Sequence, residues 1–258
     1  MHYQGYIWRV LISFIVVLAV VQAAYADRDQ SSIYIAASSG ANFSIAVVLS
    51  DSQGRKTGLT SVPEDMGLPE PYPGSVNEIP RSSLGFDDID RHVTGAPSIG
   101  TLGMIVNRPQ QESYIVEITG TLLTAYYARV NLYDSQGKSS LFEFRGVTDK
   151  DLKSIYELTY SPSPGTTSKA VRVATFARAK TDVELAFKIN WIKNAGLKNS
   201  LYQKLDNADA AHSRGDSKAA GNMLNAFLNE VQAQTGKGID PDAATMLTQD
   251  AQYLIDHL

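Results

Sequence analysis

The sequence predicts a multidomain β-plus-α chain: an antiparallel, Ig-like β-sandwich of about eight short strands, followed by a small four-helix bundle. Three observations carry this expectation. Apolar residues alternate with period two from Ser32 to Phe176, they recur with a period of about 3.6 after Lys180, and an apolar leader precedes both regions. The expected division is a signal peptide over 1–26, a β-domain over 27–178 and a helical module over 179–258.

Met1 to Arg9 ends in a positive charge, Val10 to Val21 is an almost unbroken apolar run, and Ala24-Tyr25-Ala26 has the small-x-small pattern of a cleavage site. These features predict a secretory signal, a mature chain starting at Asp27, and a secreted or periplasmic protein. The apolar run falls short of the about 20 residues a membrane span needs, so membrane attachment is expected only if the leader stays uncleaved. The chain has no cysteine, which excludes a disulfide framework and thiolate metal ligands. Its stability must therefore come from its cores. A hydrophobic content of 43% excludes wholesale disorder, and a net charge of −4 without a basic run argues against nucleic acid as a partner. Oligomeric state is not legible.

Strands are expected at "SIYIA", "FSIAVVLS", "YIVEIT", "YYARVNLY", "SLFEF", "SIYELTY" and "AVRVATF", each bounded by Gly, Pro, Ser or Asp. In "YYARVNLY", Tyr126, Ala128, Val130 and Leu132 fall on one side, with Tyr127, Arg129, Asn131 and Tyr133 on the other. Residues 51–100 read as one long, Pro- and Gly-rich connection. A connection of that length inside a compact domain is more often functional or mobile than neutral. The tetrapeptide "DSQG" occurs at Asp51 and again at Asp134, and both copies read as Asp-initiated hairpin turns with glycine at positive φ.

In the helical region, "TDVE" fits a capping box with Thr181 as the cap and Glu184 reaching back, and Gly196 is the expected stop. A second helix carries Leu197, Leu201, Leu205 and Ala208 and ends at Gly215. A third runs from the Asp216 cap to Gly236 with Leu224, Phe227 and Val231 in its apolar stripe. The last opens at "DPDA", Asp240 capping and Pro241 at the first helical position. "RGD" at Arg214 to Asp216 reads as a helix stop followed by a helix cap.

The "KLDNA" helix, the "RGD" turn, "LNAFLNEVQAQTGKGI" and the closing "DAQYLI" together resemble the FIMAH type of C-terminal module of exported bacterial proteins. The upstream segments "NEIPRSSLG", "DDIDRHVTG" and "YIVEITGTLLTAYYARVNLYDSQGKSS" are similar to the β-rich segment that often precedes that module. The resemblance implies an extracellular accessory unit and brings no reaction or ligand with it.

Catalytic motifs are missing from the sequence. "GAPSIG" is one residue off a nucleophile elbow and contains proline, no H-E-x-x-H occurs, and His92, His212 and His257 stand in separate segments. Two groups remain as candidates. Asp87, Asp88 and Asp90 offer the hard oxygen ligands that calcium takes, with Glu64, Asp65 or Glu78 as further carboxylates, although no EF-hand register is met. Tyr127, Arg129 and Tyr133 form an aromatic, polar strand face on which sugar rings could stack. The expected function is a non-enzymatic binding or accessory protein. Its β-domain contacts a glycan, cell-envelope or protein ligand and its helical module mediates association, with no cofactor beyond optional calcium. A hydrolase-type site on 51–100, or a purely structural matrix role, is the alternative.

Overall fold

The computed structural model describes residues 29–40, 43–62, 71–87 and 100–258. In chain order its strands are β1 (Ser32–Ser39), β2 (Ile45–Ser50), β3 (Lys56–Leu59), β4 (Ser75–Asn77), β5 (Ser82–Asp87), β6 (Thr101–Asn107), β7 (Ser113–Gly120), β8 (Thr124–Tyr133), β9 (Ser139–Thr148), β10 (Lys153–Thr159) and β11 (Lys169–Val173). Four helices follow: α1 (Phe176–Lys188), α2 (Ala195–Ser213), α3 (Ser217–Gln234) and α4 (Pro241–Asp256). The strands form two antiparallel sheets, a five-stranded one in the order β5-β6-β1-β8-β9 and a six-stranded one in the order β11-β10-β7-β2-β3-β4.

Period-two alternation places the core. Ile33, Ile35 and Ala37 of β1, Met104 and Val106 of β6 and Val130 of β8 point inward from the five-stranded sheet. They meet Val47 and Leu49 of β2, Val116 and Ile118 of β7 and Leu158 of β10 in one buried cluster. Each fully buried aliphatic side chain contributes about 1.5–3 kcal/mol, so this shared cluster holds the two sheets together.

Four expectations need correction: the 51–100 loop, the strand count, the Thr181 cap and the Gly196 stop. Residues 51–100 are not one long loop: β3, β4 and β5 lie within them, and the described strands outnumber the eight expected. These strands are short and interrupted by Gly58 and Gly85, so their own propensity is weak. Pairing forms them instead: β3 with β2, β4 with β3 and β5 with β6. The first helix also starts earlier than Thr181. Its cap is Thr175, whose backbone is extended and whose side chain accepts a hydrogen bond from the Arg178 N–H at 3.1 Å. Thr181 lies inside α1 and donates to the Ala177 carbonyl at 3.0 Å, while Glu184 accepts from Lys198 at 2.8 Å. Gly196 does not end α1; it sits in the first turn of α2, behind the Asn194 cap.

The remaining caps fall where the sequence puts them. Arg214 closes α2, Gly215 has φ +77°, and Asp216 accepts from the Ala219 N–H at 2.9 Å to open α3. Asp240 caps α4 ahead of Pro241. The α1–α2 and α3–α4 connections pair with each other, with Lys193 N–H donating to Gly238 O at 3.0 Å and Asp240 N–H to Trp191 O at 2.8 Å. Leu201, Leu205, Leu224, Phe227, Leu247 and Leu254 fill a second core, which Val147 of β9 joins from the sheets.

Candidate binding face

Antiparallel register assembles the outer face of the five-stranded sheet in rows, each drawing one residue from β5, β6, β1, β8 and β9. One row is Gly85, Gly103, Ala36, Arg129 and Glu143; on one side lies Ser83, Ile105, Tyr34, Asn131 and Leu141. On the other side Ser38 pairs with Tyr127, and Tyr127 with Arg145. Two facing glycines, Gly85 of β5 and Gly103 of β6, leave the β5 side of the face low. A depression of about 350 Å³ opens there, bounded by Tyr34, Ser83, Gly85, Gly103 and Ile105. The Tyr34 hydroxyl lies 3.5 Å from where a Cβ on Gly103 would stand, an ordinary contact distance, so the ring lies directly beside the glycine. A neighbouring depression of about 320 Å³ is lined by Tyr72, Ser75 and Asn77 and shares Ser83 with the first.

At the β8–β9 end of the face the polar residues are already organised. The Tyr127 hydroxyl donates to Glu143, Arg129 pairs with Glu143 at 2.9 Å and donates to the Tyr127 oxygen at 3.2 Å, and the Arg145 guanidinium stacks on the Tyr127 ring 3.7 Å from its centroid. Bonds from the Tyr127 hydroxyl and the Arg129 guanidinium hold the Glu143 carboxyl below the usual carboxylate range. Burial and the bond to Glu143 push the Tyr127 phenol up. This arrangement fixes the side chains and presents hydrogen-bonding groups beside an aromatic ring.

Of the three residues expected to bind ligand, Tyr127 and Arg129 are brought together. Tyr133 is on the same face but four residues further along β8, roughly 13 Å away at about 3.3 Å per residue, and faces Ser139. Tyr34, by contrast, shares a row with Asn131 and was not singled out by the sequence. Of the calcium candidates, the Asp87 backbone closes β5; Asp88, Asp90, Glu64, Asp65 and His92 lie outside the described residues, as does the leader. Glu78 accepts from the Lys56 N–H at 3.0 Å, and no group of three metal-ligating side chains occurs among the described residues.

A second polar cluster, unforeseen from the sequence, lies where β11 meets the helices. Arg172 is fully buried and donates to Asp182 of α1 at 2.8 Å, to Asp250 of α4 at 2.6 Å, and to the hydroxyls of Tyr126 and Tyr156 at 2.9 and 2.8 Å. Gly146, opposite Tyr126, makes room for it, since a Cβ there would fall 2.1 Å from the phenol ring. Arg178 pairs with Asp182 at 2.8 Å and donates to the Val147 carbonyl at 3.0 Å. Burial pushes the Asp250 carboxyl up to about 7 despite Arg172, and the Asp182 charge adds to this. Asp182 touches two guanidinium groups, those of Arg172 and Arg178, and Asp250 touches one, that of Arg172. The sequence did contain a signal. Arg172 stands in phase with Ala170 on the inward side of its strand, and Asp250 in phase with Leu247 and Leu254 on the apolar side of its helix.

No curated protein and no solved structure matches the chain significantly. The family model of the FIMAH domain matches residues 180–256. The helical segment is a FIMAH domain. Both carboxylates that hold Arg172 therefore belong to the FIMAH domain, while the arginine belongs to the sheets. The FIMAH domain also reaches the outer face, because Asp242 pairs with Arg145 at 3.3 Å, behind the Tyr127 ring.

Proposed function

We propose that this is a secreted or periplasmic, non-catalytic binding protein that holds a glycan on the outer face of its five-stranded sheet, with the FIMAH domain mediating association. The two facing sheets are read as an Ig-like β-sandwich and the helices as a four-helix bundle. The observation that carries the reading is the row arrangement around the depression over Gly85 and Gly103. Tyr34 and Ser83 border it, and Asn131, Arg129 and Tyr127 follow along β8 on the same face. A sugar ring has apolar faces and a rim of hydroxyls, so it is suited by aromatic rings set among fixed polar groups. Support for a location outside the cytoplasm comes from the leader over 1–26.

The test is retention on a panel of insoluble polysaccharides, peptidoglycan included, for the protein and for Tyr34→Ala and Tyr127→Ala. Retention on at least one glycan, reduced about tenfold or more by either substitution, is the expected outcome. Retention indifferent to both substitutions, or none on any glycan, refutes the reading.

A further inference from the structure

We infer that the cavity between β11 and α4 is a second binding site, for a single neutral, hydroxylated ring of the saccharide class. The cavity measures about 200 Å³ and lies where the sheets meet the FIMAH domain, the kind of junction at which ligand sites concentrate. Sites for drug-sized ligands run to about 300–1,000 Å³, so this one takes a single ring.

Its chemistry narrows the class. Phe144, Ala170 and Val171 give it apolar walls, and the stacked Tyr253 and His257 rings stand at its α4 side. Arg172 borders it, which disfavours a cation; yet that guanidinium is already shared by two carboxylates, and Asp256 stands at the rim, which disfavours an anion. A neutral ligand with an apolar surface and hydroxyl groups satisfies both conditions. Gln249 supplies the polar contact. Its amide nitrogen makes one long bond, 3.4 Å to the Glu143 carbonyl, and its side-chain oxygen is buried with no partner at all. An amide held so loosely can turn to a ligand hydroxyl at little cost and gain the bond it lacks. The polar groups beside it are already engaged, Gln252 with Asp256 at 2.8 Å and His257 with the Tyr253 carbonyl at 2.7 Å. They frame the site rather than compete for the ligand.

The experiment titrates the ¹⁵N-labelled protein with the methyl glycosides of glucose, galactose, mannose and N-acetylglucosamine, up to roughly 50 mM, since a single ring binds in the millimolar range. At least one glycoside is expected to shift the amide signals of Val171, Gln249 and Tyr253. Val171→Trp, at an exposed position on the cavity mouth, should weaken that binding at least tenfold, and Gln249→Leu about fivefold; Tyr127→Ala should leave it unchanged. Two variants at separate elements guard against one of them failing to fold. The inference falls if no glycoside moves these signals, or if both cavity variants bind as the parent does. Shifts that gather on Tyr34 and Tyr127 and vanish in Tyr127→Ala also overturn it, while leaving the sheet-face reading intact.

Discussion

Asp51 and Asp134 begin the same tetrapeptide and build the same turn. Asp51 accepts from the Gln53 and Arg55 N–H groups at 2.9 Å each; Asp134 does so from Gln136 and Lys138 at the same distances, and Gly54 and Gly137 have φ of +77° and +78°. The turn was legible because one side chain satisfies two backbone donors within its own loop, which needs no partner from elsewhere. Asp51 adds an ion pair with Arg55 at 2.6 Å. Burial raises its carboxyl; the bonds from Arg55 and Gln53 outweigh this and leave it below the usual carboxylate range. A lowered folded-state value means a contribution that is present above the unfolded pKa and lost as pH falls through the folded one. Asp51→Ala and Asp134→Ala should each cost about 2 kcal/mol at neutral pH, and the Asp51 cost should shrink below about pH 4. Urea unfolding at pH 7 and pH 3 measures this; a cost under half a kcal/mol at pH 7 would show the turns to be held by glycine alone.

Among the elements, the strands with strong alternation and the helices α2 to α4 were readable, and the failures have a common cause. β3, β4 and β5 are short and contain glycine or serine, so pairing decides them. The start of α1 was misplaced because "TDVE" satisfies a capping pattern that the chain does not use: β11 ends at Val173, and Thr175 already meets the helix's free N–H groups. Thr175→Ala should therefore lower stability by about 1 kcal/mol, whereas Thr181→Ala, at a mid-helix position where alanine is the better helix former, should be neutral or slightly stabilising. Thermal unfolding of the two variants distinguishes the caps, and the reverse order would return the helix start to Thr181.

At the scale of the molecule, Arg172 joins the sheets to the FIMAH domain by contacts that span 10 residues to Asp182 and 78 to Asp250. Arg172→Met leaves two carboxylates buried without their shared cation and should destabilise the protein by about 3–5 kcal/mol. Asp250 also makes the junction pH-dependent. Its folded-state pKa of about 7 lies above the unfolded value of about 3.9, so its contribution is complete below the latter and is lost as pH rises through the former. Between about pH 4 and pH 7 the protein should lose stability relative to Asp250→Asn, which cannot titrate. Parallel urea midpoints for the two across that window would mean that Asp250 stays ionised beside Arg172.

By itself the sequence determined the change from period two to period 3.6, the paired hairpin turns, the Asp216 and Asp240 helix caps and the resemblance of the last segment to the FIMAH domain. All of these rest on interactions within a turn or two of the residue concerned. The tertiary structure decided which sheet each strand joins, which residues share a row with Tyr127, and what Arg172 meets at the base of the helices. Those outcomes depend on partners dozens of residues away. Periodicity shows which side of a strand is buried, and only packing decides what it is buried against.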